Sequence, residues 1–362
     1  VGAVSRIVFW QPIASPHQEA FLEALARQFS GEVILGVERD FPAERRAQGW
    51  RQPMHKQVQV VDISVPANHA SLAVHVTPAT LHVFSGFFSH PLVWAGFRRL
   101  ASSQARLAIM SEAPEQPWAT GWLKRSRGRW LAARWAWRFA FVLAIGGVGC
   151  RFFERIGFPA EKIRPFGYYL DVPSLAPASS VGTSSGVFRF VSAGQLLHRK
   201  GIDLLVRACG RLPATGWRLD VYGDGPERSA LERLAGRLQL ADRIAFHGVI
   251  PSDSIPHILA TADSAVLPSR FDGWGTFVNE ALAVGTPVIC TDGCGAADLV
   301  TDDQTGHVVP ADRTAPLAAA LSHALTAGRV QPQIRGAVNE RFARCASASW
   351  AAAKLISLVG EG

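Results

Sequence analysis

The stretch Pro268-Ser269-Arg270-Phe271-Asp272-Gly273-Trp274-Gly275-Thr276-Phe277-Val278-Asn279-Glu280-Ala281-Leu282-Ala283-Val284-Gly285-Thr286-Pro287-Val288-Ile289 reads as a turn, a helix and a strand in succession. Asp272 and Glu280 flank the small-residue turn Gly273, Gly275 and Thr276. Phe277, Ala281, Leu282 and Val284 then recur at helical spacing, and Gly285-Thr286-Pro287 stops the pattern before the strand-like Val288-Ile289-Cys290. A helix opened by glycine presents unpaired N–H groups at the positive end of its dipole, a natural seat for phosphate. Glu280 stands about one turn into this helix, within reach of hydroxyls beside such a phosphate, as acids that grip a ribose diol do. The bland alternative is a helix merely capped by glycines and acids.

Working outward, the second half continues the same alternation. Apolar runs at Phe188–Ser192, Arg218–Tyr222, Ile244–Phe246, Ala265–Leu267, Val288–Thr291 and His307–Val309 predict strands. Helical patterns fall at Gly201–Arg211, Glu227–Leu238, Asp253–Thr261 and Phe277–Val284. The first half repeats it, with strands expected at Arg6–Trp10, Val33–Val37, Val58–Ile63, Leu81–Phe84, Leu107–Met110 and Phe141–Ile145. Helices are expected there at Gln18–Gln28 and Pro91–Ser103. Strand–helix alternation of this kind implies mainly parallel sheets covered by helices. The expected organisation is an N-terminal domain over 1–172, a Pro/Ser/Ala/Gly-rich linker over 173–186 and a second domain over 187–340. A single helix over Phe342–Leu358, within a C-terminal segment 341–362, is expected to pack back on the first domain. Ligands of two such doubly wound domains bind at the carboxyl ends of the strands, in the cleft between the domains.

The bulk properties agree with an α/β protein. A chain of 362 residues, 48% hydrophobic, can bury two large cores. The net charge of +8 points to anionic partners such as phosphates or acidic lipid. Five irregularly spaced cysteines argue against a disulfide framework and fit a reducing compartment, and Cys290 and Cys294 lack the further ligands a metal site needs. No apolar run approaches 20 residues and no leader precedes the first strand, so the expectation is a cytoplasmic protein, either soluble or peripheral on the inner face of the membrane.

Four motifs occur in order in the second half: Gly194-Gln195-Leu196-Leu197-His198-Arg199-Lys200-Gly201, Gly223-Asp224-Gly225-Pro226, Pro268-Ser269 with Asp272 and Glu280, and Gly295-Ala296-Ala297-Asp298. Together they resemble the nucleotide-binding domain of retaining GT-B glycosyltransferases of family four, in which the two acids are a Glu-x7-Glu pair. The first half matches more loosely, through Phe166-Gly167-Tyr168-Tyr169-Leu170-Asp171. Two departures stand out. The arginine usual in the first motif is Gln195, with Arg199 able to restore a cation, and the first glutamate is Asp272, one methylene shorter. The phrase around Ser269–Ala281 is similar to a subgroup of bacterial surface-polysaccharide enzymes.

The resemblance implies a GT-B architecture and transfer of a sugar from a UDP- or GDP-sugar to a glycan or lipid-linked acceptor, with retention of configuration. Lys200, Arg199 and the N–H groups of Gly275 and Thr276 would face the diphosphate, whose developing charge is the main electrostatic problem. Glu280 would hold the ribose and Asp272 the donor sugar. Gly223, Gly225, Gly248, Val249, Gly273 and Trp274 would complete the donor site. No Asp-x-Asp sequence occurs, and no metal or other cofactor is expected. In the first domain His17, Glu112 and His90 are candidates for sugar or acceptor contacts at strand ends, with surface-loop or packing roles as the alternative. Residues 122–138 mix Lys124, Arg125, Arg127, Arg129, Arg134 and Arg138 with tryptophans and carry no acid. That composition suits an anionic membrane surface, the alternative being a helix whose tryptophans face the core. A sugar-nucleotide epimerase of the same fold lacks a reason for the acidic pair. A non-catalytic two-domain binder of the periplasmic type is expected to carry an export signal, and a nucleic-acid binder leaves the phosphate seat unexplained.

Overall fold

The computed structural model of the protein describes residues 3–86, 90–115, 121–171 and 186–360. The expected linker lies outside them except for Gly186, as do Phe87, Phe88 and Ser89. The chain forms two units. One comprises residues 1–43, 52–170 and 347–362, the other residues 44–51 and 171–346.

In the first unit seven strands, β1 (Arg6–Gln11), β2 (Glu32–Val37), β3 (Gln59–Asp62), β4 (Thr80–Ser85), β5 (Arg106–Ser111), β6 (Phe141–Ile145) and β7 (Ile163–Phe166), pair in the order β3-β2-β1-β4-β5-β6-β7. Every pairing is parallel, for example Ile7 with Val33 on one side and Leu81 on the other. The central strands are apolar on both faces because helices cover both. Trp10 is fully buried, stacks on Phe84 and donates from its indole N–H to His82 Nδ1 at 3.1 Å. Gly96 makes room for it: a methyl group there would sit 2.7 Å from the indole ring. The strand β7 has no counterpart among the expected ones. It contains Pro165, which a sheet tolerates only where one side needs no ladder, and β7 is an edge.

The second unit holds β8 (Phe188–Ala193), β9 (Trp217–Tyr222), β10 (Ile244–Gly248), β11 (Ser264–Leu267), β12 (Val288–Thr291) and β13 (Gly306–Val309), in the order β10-β9-β8-β11-β12-β13 and again all parallel. Helices such as Ile202–Cys209 bury Leu204, Leu205 and Ala208 against Phe190, Leu219 and Val266. The order in which strands are added reverses between β8 and β11, and ligands of such sheets gather at the strand ends flanking that reversal. The loops leaving these two strands carry Gly194–Gly201 and Pro268–Thr276.

The C-terminal pattern expected as one helix over Phe342–Leu358 is two helices, Pro332–Cys345 and Ala348–Gly360. Ser347 explains the break, since its hydroxyl accepts a hydrogen bond from the Trp350 N–H and so starts the second helix. The division between units falls at 346/347, not at 340/341. The last helix packs along the helix Pro16–Gln28, and Lys354 donates to the Pro165 carbonyl at 2.7 Å.

Candidate functional site

The turn 272–275 is built by close backbone approach. Asp272 N–H donates to Gly293 O at 2.9 Å, Gly295 N–H to Asp272 O at 3.0 Å and Ala296 N–H to Trp274 O at 2.8 Å. Glycines permit this stitching: a Cβ on Gly295 would lie 2.2 Å from the Gly273 carbonyl oxygen. Gly275 precedes the helix Thr276–Ala283 with φ +93°, and a Cβ there would meet Cys294 Sγ and Leu267 Cδ2 at 2.7 Å. Gly275 O accepts from Val278 N–H at 3.0 Å, so the N–H groups ahead of Val278 lie outside the helical ladder. Trp274 is buried, and its indole N–H donates to Asn279 Oδ1 at 2.7 Å. Trp274 was expected as a donor contact; its ring instead braces the turn.

The basic loop is tied to this turn. Arg199 O accepts from Arg270 N–H at 2.8 Å and from Phe271 N–H at 3.2 Å, and a Cβ on Gly201 would lie 2.1 Å from Pro268 O. Lys200 Nζ consequently lies 2.5 Å from Asp272 Oδ2, both side chains mostly enclosed. Arg199 donates to Phe271 O at 3.4 Å. Arg270 was not anticipated as part of the assembly. Its guanidinium takes both oxygens of Asp203 at 2.7 and 2.8 Å and pairs with Asp312 at 2.8 Å, clamping the basic loop to the turn. Asp203 is held below the ordinary carboxylate range by Arg270, against the opposing effect of burial.

The glycines of the second motif join the same end of the sheet. Gly223, at φ +120°, donates its N–H to Gly248 O at 2.7 Å, and a Cβ on it would lie 2.0 Å from Gly194 O. Leu196 N–H donates to Asp224 O at 2.9 Å, and a Cβ on Gly225 would stand 2.5 Å from Leu196 O. Gly248 has φ +75°, beside the exposed Val249.

Glu280 is half-buried and has no hydrogen bond or ion pair among the described residues. Burial, reinforced by the Asp253 carboxylate, pushes its carboxyl up to about 8. A poised, unsatisfied acid one turn beyond the helix start is chemically suited to accept paired hydroxyl donors. Cys290 and Cys294 are free and buried, and burial raises both thiols, so they are packing groups. Among the described residues no three His, Cys, Asp or Glu side chains form a metal-ligand set.

In the first unit His17 and Glu112 converge on Tyr168. The His17 ring stacks on Tyr168 with centroids 6.4 Å apart, and Tyr168 is hydrogen-bonded to Glu112 and Gln18. Burial, with the adjacent Glu112 charge, holds the Tyr168 hydroxyl well above its ordinary value. Gln11 donates to Gln18, extending the network into β1. His90 lies apart from this group, beside Glu38 and Arg39, and burial lowers its pKa. Glu38 accepts from Leu92 N–H at 3.1 Å at the start of the helix Pro91–Leu100.

The helix Gly121–Trp135 divides the tryptophans. Trp130 is 65% exposed and Trp137, just beyond the helix, 66%. Trp135 instead packs edge-on against Phe97, with the Arg134 guanidinium 4.2 Å from its ring. Arg138 is spent internally on four carbonyls, those of Leu100, Ala101, Ser103 and Ala105. The membrane-facing set expected over 122–138 thus loses Trp135 and Arg138 to the fold, while Arg125, Arg127, Arg129 and Arg134 remain exposed. No helix among the described residues is long and apolar enough to cross a membrane.

Comparison with known proteins agrees with this arrangement. The chain is 31% identical over 170 residues to the alpha-D-kanosaminyltransferase of Streptomyces kanamyceticus, covering 46% of this chain and 42% of that protein. It is 30% identical over 177 residues to the putative colanic acid biosynthesis glycosyltransferase WcaL of Escherichia coli K12, covering 47% and 43%. The match thus spans under half the length of these curated relatives. The fold superposes on Anabaena HepE in complex with UDP with a TM-score of 0.75 at 18% identity, covering 99% of this chain and 100% of that one. Residues 180–337, which carry the four motifs and both acids, match the family model described as glycosyl transferases group 1. That region, under half of the chain, is therefore similar to the group 1 glycosyl transferases, and the two parallel-sheet units have the GT-B fold.

Proposed function

We propose that the protein is a retaining, metal-independent glycosyltransferase that moves a sugar from a UDP- or GDP-sugar to a glycan or lipid-linked acceptor of a cell-surface polysaccharide or glycolipid. The observation that carries this reading is the enclosed Lys200–Asp272 pair at the mouth of the glycine-opened helix Thr276–Ala283. As the bond to the sugar breaks, negative charge grows on the diphosphate. Lys200 and the N–H groups at Gly275 and Thr276 meet that charge in a preorganised setting and supply what a metal supplies elsewhere. Glu280 takes the ribose hydroxyls. Asp272 holds hydroxyls of the sugar and orients its anomeric carbon. The resemblance to retaining enzymes in which no carboxylate is placed as a nucleophile favours front-face attack, with a leaving phosphate oxygen taking the acceptor's proton, over the two-carboxylate arrangement of glycosidases.

The Glu112–Tyr168–His17 group of the first unit is assigned to the acceptor. Trp130, Trp137 and the exposed arginines of 125–134 are assigned to an anionic membrane surface on the cytoplasmic side, where a lipid-linked acceptor would reside. The name of WcaL and the UDP held by HepE point the same way. The test is a thermal-shift screen of nucleoside diphosphates, followed by transfer from the matching nucleotide-sugar with a chelator present and NMR of the product anomer. A ligand at 100 times its Kd adds about 2.7 kcal/mol, an unmistakable shift. Absence of any shift with UDP, GDP, ADP and dTDP would overturn the reading.

A further inference from the structure

We propose that Trp50, which lies outside the family-matched region, forms one wall of the nucleobase site and selects the base of the donor. The inference rests on the nucleoside diphosphate reading above and extends it to a residue that no motif contains.

Residues 44–51 precede most of the first unit in sequence, yet they belong to the second. They meet the loop that follows β10. Ser252 N–H donates to Gly49 O at 3.0 Å. Gly49 has φ +82°, and a Cβ on it would lie 2.3 Å from Ile250 O, so this approach of two backbones needs glycine. Between the two segments lies a recess of about 410 Å³ lined by Trp50, Arg51, Val249, Ile250 and Asp253 among others. That volume is within the range of small-molecule sites. Trp50 is the aromatic residue of its lining, and the Arg45 guanidinium sits 4.3 Å from the ring centroid, which fixes the plane of the ring.

The position of the recess identifies its ligand. The phosphate seat is the start of the helix Thr276–Ala283, and Glu280 stands one turn beyond it. Asp253, in the recess wall, is near enough for its charge to act on the Glu280 carboxyl. With Glu280 read as the ribose acid one turn past the phosphate seat, a recess whose wall carries its neighbour Asp253 is assigned to the base of the nucleotide. An indole face stacks on any planar base, Ile250 and Val249 supply apolar contact, and the Asp253 carboxylate accepts from base N–H groups. A free phosphate or a simple sugar would leave the indole face unused.

The experiment is calorimetric titration of UDP, GDP and inorganic pyrophosphate into the wild-type protein, Trp50→Ala and Trp50→Phe. Loss of base stacking weakens the better-bound of UDP and GDP by about tenfold in Trp50→Ala. Pyrophosphate binding stays unchanged, and Trp50→Phe recovers most of the nucleotide affinity with an altered UDP/GDP ratio. Equal affinity of wild type and Trp50→Ala for UDP and GDP would overturn this proposal and leave the donor reading standing. A parallel loss for pyrophosphate, or an unchanged UDP/GDP ratio in the well-folded Trp50→Phe protein, would also overturn it. Wild-type protein that binds neither UDP nor GDP would sink both readings together.

Discussion

The titration of Glu280 makes the ribose assignment measurable. Its carboxyl is pushed up to about 8, so below that pH the free protein holds it protonated. A carboxylate is the form that accepts both ribose hydroxyls, and binding below pH 8 must therefore release a proton. The observed Kd then scales as one plus ten to the power of 8 minus the pH, which is about elevenfold above the limiting value at pH 7 and about 1.1-fold at pH 9. Affinity should rise about tenfold between these pH values, equivalent to about 1.4 kcal/mol. The assay is calorimetry of the preferred nucleoside diphosphate at pH 7, 8 and 9 in two buffers of different ionisation heat, which counts the proton directly. The 2′,3′-dideoxy analogue carries the same diphosphate without the hydroxyls and should show no such rise. Glu280→Gln should be flat as well. A wild-type profile that is flat, falling with pH, or shared by the dideoxy analogue would refute the reasoning. The same shift predicts a change in stability. A folded value above the unfolded 4.5 stabilises the protein below about pH 4.5, and that contribution is lost as pH rises to about 8. Glu280→Gln should accordingly gain in Tm relative to wild type as pH is raised from 5 to 8.5.

Lys200→Ala should weaken diphosphate binding at least tenfold and leave the nucleoside unaffected, since one charge-assisted contact is worth about 1.5–3 kcal/mol; equal losses in calorimetry would remove Lys200 from the phosphate seat. Asp272→Asn releases Lys200 from its 2.5 Å partner, so turnover should fall while nucleoside diphosphate affinity holds or tightens. A weakened affinity at constant turnover would exchange the roles of the two acids. Wild-type protein should co-sediment with vesicles of acidic lipid at low salt and be released by high salt or by Arg125, Arg127 and Arg129→Gln, each nearby cation contributing about 1 kcal/mol; no co-sedimentation at low salt would remove the membrane assignment. Trp135→Ala should lower stability by about 3 kcal/mol through its contact with Phe97 and spare vesicle binding, as read by denaturant titration and sedimentation.

The central strands were legible as sequence because they are short and largely apolar, and the site turn was legible because glycines at 273 and 275 have no good use inside a helix or strand. What escaped were features made by distant partners. The edge strand β7 owes its place to β6, not to its own Ile-Arg-Pro-Phe sequence. Arg270 gains its meaning from Asp203 and Asp312, 67 and 42 residues away. The pressure on Glu280 comes partly from Asp253, and Glu112 and His17 meet only through Tyr168. Trp135 and Arg138 share the composition of their neighbours but not their orientation, which the helical pattern alone did not resolve.

The division of the chain has a consequence for its synthesis. The polypeptide passes between units at 43/44, 51/52, 170/171 and 346/347, and the first unit is finished only by the helix Ala348–Gly360. That helix buries Ala348, Ala351, Ala352 and Leu355 and lies along the helix Pro16–Gln28, where Gln28 donates to Ser349 O at 3.2 Å. As the ribosome extends the chain, the early sheet must wait, one flank uncovered, until the second unit has been made. A protein cut after residue 346 would keep all four glycine-rich motifs and still leave that flank bare, an invitation to aggregation rather than a smaller working protein.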